Sequence, residues 1–455
     1  MKKKVNDTKY VSSLVEKNRL VEMVYNPELE RTSFVVFENS AIRIQDSITT
    51  PSGTYKPLGL DNNIVTRGVI LFPSVAEEYG SDEALIIEIQ EFIHRYLAVS
   101  PRYERIASYY ALFTWVYDKF NELPYLRALG DYGSGKTRFL QVIGSICYKP
   151  IFAAGATTVS PIFRMLDIHR GTLVFDEADF RLSDQTADIV KILNSGYMKG
   201  FPVWRSDTSK NGNFEPQFFN IFSPKILATR GQFQDKALES RFLIEEMGKG
   251  KLRADIPITL PDCFHDEARA LRNKLLTWRL RNFYKPVLEE VWRGVNIQSR
   301  LLQITAPLLA IGTSEIFRSD IKQFIKEYES ELTTDRSLSE EADILRALLV
   351  CRVRNTEPTI KQITEEYNST FASKNQIEYR KMGSLVRNRL QLKVERLNVG
   401  WAVLARINEE RIEFLKERYG VTEVNVVNNV NVVEKRGDEI KELDPREVSP
   451  FDTSF

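Results

Sequence analysis

The sequence predicts an α/β fold, and three observations carry that prediction. From about residue 124 to 247, short apolar runs alternate with helix-period patterns, as in a domain with a mainly parallel sheet. A glycine-rich loop, Gly130-Asp-Tyr-Gly-Ser-Gly-Lys136-Thr137, joins an extended segment to a helical one. A further apolar run, Gly171-Thr-Leu-Val-Phe-Asp176-Glu177, ends in two carboxylates.

Residues 1–80 read as a β-rich N-terminal domain: Ser33-Phe-Val-Val-Phe and Val69-Ile-Leu-Phe are strand-like, and Pro51-Ser-Gly marks a turn. Residues 81–123 form a helical linker, with Leu85, Ile89, Phe92, Ile93 and Tyr96 at helical spacing and a second stripe through Tyr110, Phe113 and Val116. The core follows at 124–260, and a helical segment at 261–335. Residues 336–415 have a helix–helix–helix–hairpin rhythm, and 416–455 turn repetitive and charged, which predicts a flexible tail.

Composition narrows the class. Hydrophobic residues make up 43% and charged residues 27% of the 455, a globular balance. A net charge of +1 gives no general attraction to nucleic acid or membrane, so a nucleic-acid surface must be local. The basic start lacks the apolar stretch of a secretory signal, and no apolar run reaches the roughly 20 residues of a membrane helix. Cys147, Cys263 and Cys351 are far apart, as are His94, His169 and His265. Neither zinc nor a disulfide framework is expected, and a cytoplasmic setting is.

The glycine loop fits G-x-x-x-x-G-K-[ST] at every fixed position, with Tyr125–Leu129 extended before it and Arg138-Phe-Leu-Gln-Val-Ile helical after it. Gly130, Asp131, Tyr132, Gly133, Ser134, Gly135, Lys136, Thr137 and Arg138 are the expected nucleotide-binding residues. Backbone N–H groups in such a loop face phosphate oxygens beside a helix N-terminus. Lys136 is expected at the β- and γ-phosphates and Thr137 at Mg²⁺. Asp176 at the strand end is expected to hold the Mg²⁺ shell and Glu177 to polarise the attacking water, making ATP and Mg²⁺ the expected ligands.

Later motifs make the pattern more specific. Lys225-Ile-Leu-Ala-Thr229-Arg230 reads as a buried strand ending in a polar residue. Ala237-Leu-Glu-Ser-Arg241-Phe242 and Arg300-Leu-Leu-Gln-Ile follow at their distances. With the two carboxylate and glycine motifs, this ordered set resembles AAA+ ATPases, and in particular minichromosome-maintenance (MCM) helicases and ATPases of plasmids, phages and other mobile elements. The resemblance covers about 120 to 315 and implies an AAA+ P-loop core with a helical lid. It implies that Thr229 is sensor 1, on a strand between those of the two phosphate-site motifs, orienting water with Glu177. A strand-terminating threonine is the other reading. Arg241 becomes the arginine finger reaching a neighbour's γ-phosphate, with a surface ion pair as the other reading and Arg230 as a weaker competitor. Arg300 becomes the sensor 2 arginine; an arginine opening a helix is unfavourable against the helix dipole unless it meets an anion.

Between Asp176 and Thr229 lie two extended segments around Lys210-Asn211-Gly212, and Asn-Gly signals a tight hairpin. A hairpin there is similar to that of MCM proteins and superfamily 3 helicases, which implies that Lys210 contacts DNA; an exposed lysine in an ordinary turn is the other reading. The segment Lys374 to Arg396, with Arg380, Lys381, Arg387 and Arg389, carries a net +5 on the third helix and hairpin of what reads as a winged helix. Such a patch suits DNA, although winged helices also contact proteins. The zinc motif usual in MCM N-terminal domains is missing, so residues 1–80 stay unassigned. The resemblance implies an MCM-like DNA helicase or translocase of a mobile element or chromosome, forming a ring that is expected to be a hexamer. The alternatives are an AAA+ helicase loader or protein-remodelling ATPase, and a nucleotide-gated DNA-binding initiator.

Overall fold

The computed structural model describes residues 8–421 apart from 62, 177–183, 209–213, 234, 249–252, 288–296, 313 and 372–375. Glu177, Lys210 and nearly all of the expected tail lie outside the described residues. The chain divides into two compact units, 1–325 and 326–455.

The first unit is built on a five-stranded, all-parallel sheet. Its order is Phe242–Glu246, Tyr125–Leu129, Lys225–Thr229, Leu173–Phe175, Ile151–Ala153. Register is set by pairs such as Leu126 with Ile226, Leu173 with Lys225, and Tyr125 with Phe242. The strand ending in Thr229 thus lies between the strand entering the glycine loop and the strand leading to Asp176, where the sequence reading put it. The strands are nearly all buried, as a parallel sheet covered on both faces requires.

Helices begin where the sequence supplies caps. Ser81 accepts from Ala84 N at 3.1 Å and opens Asp82–Tyr96. Ser100 accepts from Tyr103 N at 3.2 Å and opens Pro101–Thr114, with Pro101 in the first turn. The second helical stretch is therefore shorter than its apolar stripe, since Tyr117–Lys119 is a separate 3₁₀ turn.

The β-rich start forms a four-stranded antiparallel sheet, Ser13–Val15 to Ala41–Gln45, and a three-stranded one with the order Thr8–Tyr10, Gly53–Lys56, Ile48–Thr50. The expected strand at Val69–Phe72 is reduced to one bridge, Ile70 to Ile151, because Ile70 and Phe72 are buried as plugs instead of continuing a ladder. Val21, Met23, Phe34 and Val36 share one apolar cluster with Phe163, Leu166 and Phe175, so the N-terminal strands and the parallel sheet have a common core.

A buried ionic cluster ties these parts together. Glu22 accepts from Tyr148 Oη at 2.8 Å and Arg279 Nε at 2.8 Å, and pairs with Lys149 Nζ at 3.0 Å. Arg279 also pairs with Asp118 at 2.8 Å. Two carboxylates and two cations balance there, with Glu22, Lys149 and Arg279 buried and Asp118 partly exposed.

His169 ends the helix Val159–His169 and is 2% exposed. Burial, with the Lys149 charge as a smaller cause, lowers its pKa to about 4. The sign follows from linkage: below about pH 6.5 the unfolded chain takes up a proton that the folded one refuses. Stability is full above that pH and should fall by about 3 kcal/mol on going to pH 4. Denaturant melts of wild type and His169→Asn across that range test this; the variant should lose that part of the slope.

In the second unit, helices Glu340–Arg354, Ile360–Thr370 and Tyr379–Ser384 precede the hairpin Val394–Leu397 and Gly400–Val403. A π-helical turn, Leu385–Arg389, extends the third helix. Helix Ala405–Tyr419 follows and stops at Gly420, whose φ of 62° is the left-handed conformation of a helix C-terminus. Among the described residues, no helix is long and apolar enough to cross a membrane.

Candidate functional site

A parallel sheet brings the C-terminal ends of its strands to one edge, and there the phosphate-site motifs meet. Gly130 leaves the strand Tyr125–Leu129, and Lys136 begins the helix Lys136–Ile146. Between them Gly133 and Gly135 take φ values of 71° and 91°. A Cβ on Gly130 would come within 2.8 Å of Ser134 Oγ and 2.9 Å of Met247 O, so the tight curl excludes a side chain. Asp131 and Tyr132 are exposed on the rim and Ser134 is half-buried. Lys136 Nζ donates to Gly130 O at 2.7 Å and Asp131 O at 2.6 Å, which holds its charge over the loop.

Two further elements close on this loop. Thr137 Oγ1 donates to Asp176 Oδ2 at 2.9 Å, joining two motifs 39 residues apart. Thr229 is 1% exposed and its Oγ1 has no hydrogen-bond partner among the described residues, while its carbonyl accepts from Gly130 N at 3.2 Å. A buried hydroxyl without a partner is costly, and such groups concentrate where a ligand or water completes them. These features fit a nucleotide and its metal: the loop N–H groups and Lys136 would hold phosphates, and Thr137 with Asp176 would hold Mg²⁺.

Arg138 is turned elsewhere. Its guanidinium donates to the carbonyls of Tyr96 at 3.3 Å, Pro257 at 3.1 Å and Ile258 at 2.7 Å, so the side chain staples the loop helix to flanking segments. Arg230 lies on the loop rim, its guanidinium 3.7 Å from the Tyr132 ring centroid and bonded to the Tyr132 hydroxyl.

Arg241 and Arg300 sit at the opposite edge. Arg241 immediately precedes Phe242, which pairs with the first residue of the loop strand, so a five-residue strand of ~16 Å separates it from Gly130. Arg241 is 8% exposed; Nη1 donates to Asn194 Oδ1 at 2.6 Å. Burial, then the nearby Arg300 charge, lowers its pKa. Arg300 donates through Nη1 to Gln303 Oε1 at 2.5 Å and through Nε to Ser240 Oγ at 3.4 Å. Both guanidiniums lie over the ring of Tyr197, at 4.4 and 4.8 Å from its centroid. The common seat on Tyr197 was not legible in the sequence, because residues 197, 241 and 300 follow no local spacing.

The hairpin joins Val203–Thr208 to Phe214–Phe219 with Trp204 opposite Phe218. Phe219 is buried against Phe163, whereas Trp204 and Phe218 are 66% and 55% exposed and meet edge-to-face at 4.9 Å. Motif reading passed over this aromatic pair, although a turn centred on Asn211 already makes 204 and 218 cross-strand partners.

In the second unit Arg380, Lys381, Arg387 and Arg389 are all exposed. Arg387 lies 6.0 Å from the Trp401 ring centroid on the hairpin. Arg389 pairs with Glu341 at 2.9 Å, so part of its charge is balanced within the unit.

The mixed α/β architecture, the parallel sheet and the loop geometry are those of a P-loop core. No protein-family model matches the chain, and no curated protein does. Among solved structures the chain is similar to the C-terminal region of NrS-1, at 10% identity and a TM-score of 0.37 over 84% of this chain and 96% of that one. It is similar to JCV helicase at 12% identity and a TM-score of 0.25, over 56% of this chain and 63% of that one. For a Thermotoga maritima RuvB mutant the identity is 12% and the TM-score 0.23, over 69% and 95%.

Proposed function

We propose that this chain is an ATPase of the AAA+ type whose sites are completed between subunits, and that it uses hydrolysis to move and unwind DNA in the manner of MCM-like and superfamily 3-like ring helicases. The observation that carries the ATPase reading is the 2.9 Å contact of Thr137 with Asp176 beneath the glycine loop. ATP with Mg²⁺ supplies the phosphoanhydride and the charge that draws these residues together. Lys136 and the loop amides orient the phosphates, Glu177 takes the role of activating water, and Thr229 aligns that water. Arg241 and Arg300, an entire strand length from their own loop, serve the site of the adjoining subunit in a head-to-tail ring.

The DNA reading rests on the hairpin and the basic unit. The hairpin runs through Asn220–Phe222 into the strand that ends at Thr229, so movement at the phosphate site has a short covalent route to Lys210, Trp204 and Phe218. An exposed aromatic pair suits stacked bases, and a lysine in the sequence that connects the two strands suits a sliding phosphate. Arg380, Lys381, Arg387 and Arg389 give the second unit its DNA-facing charge.

Strand displacement by the purified protein is the test. Forked DNA should be unwound in an ATP-dependent way, and Lys210→Glu should lose DNA-stimulated turnover while keeping basal hydrolysis. ATP turnover without displacement of forked, tailed or duplex substrates, and indifferent to charge reversal at Lys210, would point to a protein-remodelling ATPase instead.

A further inference from the structure

We infer that Asn194, itself held by Asp235, is a positioning residue for Arg241: it aims the guanidinium that each subunit lends to the ATP of the next. That role rests on the shared-site reading above. The backbone at Arg241 is fixed independently of Asn194. Arg241 N donates to Leu238 O at 3.0 Å, and Arg241 O accepts from Tyr125 N at 3.0 Å. Just before it, the helical turn Lys236–Glu239 is tied to the loop strand, because the buried Arg127 forms a two-pronged ion pair with Glu239. A long side chain on a fixed backbone still has many rotamers, and ordering an arginine costs about 2 kcal/mol. The bond from Nη1 to Asn194 Oδ1, at 2.6 Å, is what selects one of them over the Tyr197 ring.

Asn194 is oriented in its turn. Its Nδ2 donates to Asp235 Oδ2 at 2.7 Å. An amide has one donor end and one acceptor end, so a carboxylate at Nδ2 obliges Oδ1 to face the arginine. The other oxygen of Asp235 accepts from Ala237 N at 2.9 Å and Leu238 N at 3.2 Å, capping the turn that leads to Arg241. The Asn194 hydrogen bond, and more weakly the Arg241 charge, hold the Asp235 carboxyl below the usual carboxylate range, which keeps it an acceptor. Asn194 lies near the end of the helix Asp184–Ser195, beside the buried Leu193, whose carbonyl accepts from the Tyr125 hydroxyl at 3.1 Å. Asp235, Asn194 and Arg241 thus form one directed chain of hydrogen bonds between two elements. Removing Asn194 frees the arginine side chain and leaves its backbone where it was.

Asn194→Ala should lower ATP turnover by about 10- to 100-fold, the worth of one hydrogen bond to a charged group, with ATP binding nearly intact. Asp235→Asn keeps an oxygen for the cap but sets an N–H group against Asn194 Nδ2, so it should lower turnover in the same way. Mixing assigns Asn194 to one half of the shared site. An equimolar mixture of Asn194→Ala with Lys136→Ala should exceed the average of the two, because an Asn194→Ala loop facing a Lys136→Ala neighbour is a complete site. A mixture of Asn194→Ala with Arg241→Ala should not, because every arginine half is then damaged. Full turnover of Asn194→Ala, gain in the Arg241→Ala mixture, or no gain in the Lys136→Ala mixture overturns the assignment. A loss of ATP binding as large as the loss of turnover would reveal a merely structural role and reject it. Failure of the shared-site reading shows separately, because Lys136→Ala and Arg241→Ala would then not complement each other.

Discussion

Arg241→Ala should reduce ATP hydrolysis by roughly 10³–10⁵-fold, the range an arginine finger contributes in phosphoryl transfer, while leaving ATP binding nearly intact. The reason lies in the sheet. Arg241 opens a strand parallel to the loop strand, so it stands at the end opposite Gly130 and its guanidinium has no path to its own phosphate site. Arg241 is 8% exposed, shares the Tyr197 ring with Arg300, and donates through Nη1 to the neutral Oδ1 of Asn194. Two guanidiniums kept so close repel each other, and on the proposed arrangement a phosphate from the adjoining subunit would relieve that repulsion. The check is complementation. Lys136→Ala and Arg241→Ala should each be inactive, and mixing them equally should restore activity at about one interface in four, as random head-to-tail assembly dictates. Full-speed hydrolysis by an isolated Arg241→Ala monomer would contradict this account.

Glu22→Gln should lower folding stability by about 3–5 kcal/mol, the usual cost of removing one partner from a buried ionic cluster. Glu22 is 1% exposed on the strand Arg19–Asn26, where it neutralises Lys149 and Arg279. Without its charge, Asp118 alone faces two buried cations. Burial already pushes the Lys149 pKa down, so this lysine would shed its proton more readily in the variant. The double change Glu22→Gln with Lys149→Met should recover much of the loss, because it removes one charge of each sign. Urea midpoints for the single and double variants measure the effect. Equal stability of Glu22→Gln and wild type would mean that the cluster does not fasten the N-terminal sheet to the core.

The phosphate-site motifs were legible because their chemistry is local. Residues 130–137 must curl in one stretch of chain, and the glycines, Lys136 and Thr137 are all within it. The apolar run before Asp176 and the one before Thr229 were recognisable as buried strands for the same reason, and their order in the sheet followed from the resemblance to AAA+ cores. The hairpin was announced by Asn211-Gly212. The strand-like run at Val69–Phe72 misled because apolar residues that plug a core and those that line a ladder look alike along the chain.

The amino-acid sequence by itself thus determined the phosphate loop, the carboxylate strand, the alternation of strands and helices, and the basic stretch from Arg380 to Arg389. Each depends on residues close together in the chain, where backbone conformation and side-chain period leave a readable trace. Only the tertiary structure decided that Arg241 and Arg300 meet on Tyr197, that Arg138 turns away while Arg230 stays on the loop rim, and that Glu22 joins Lys149 and Arg279. Those contacts span up to 257 residues, and parallel-strand order, which no local spacing encodes, sets the sheet edge on which each charge stands.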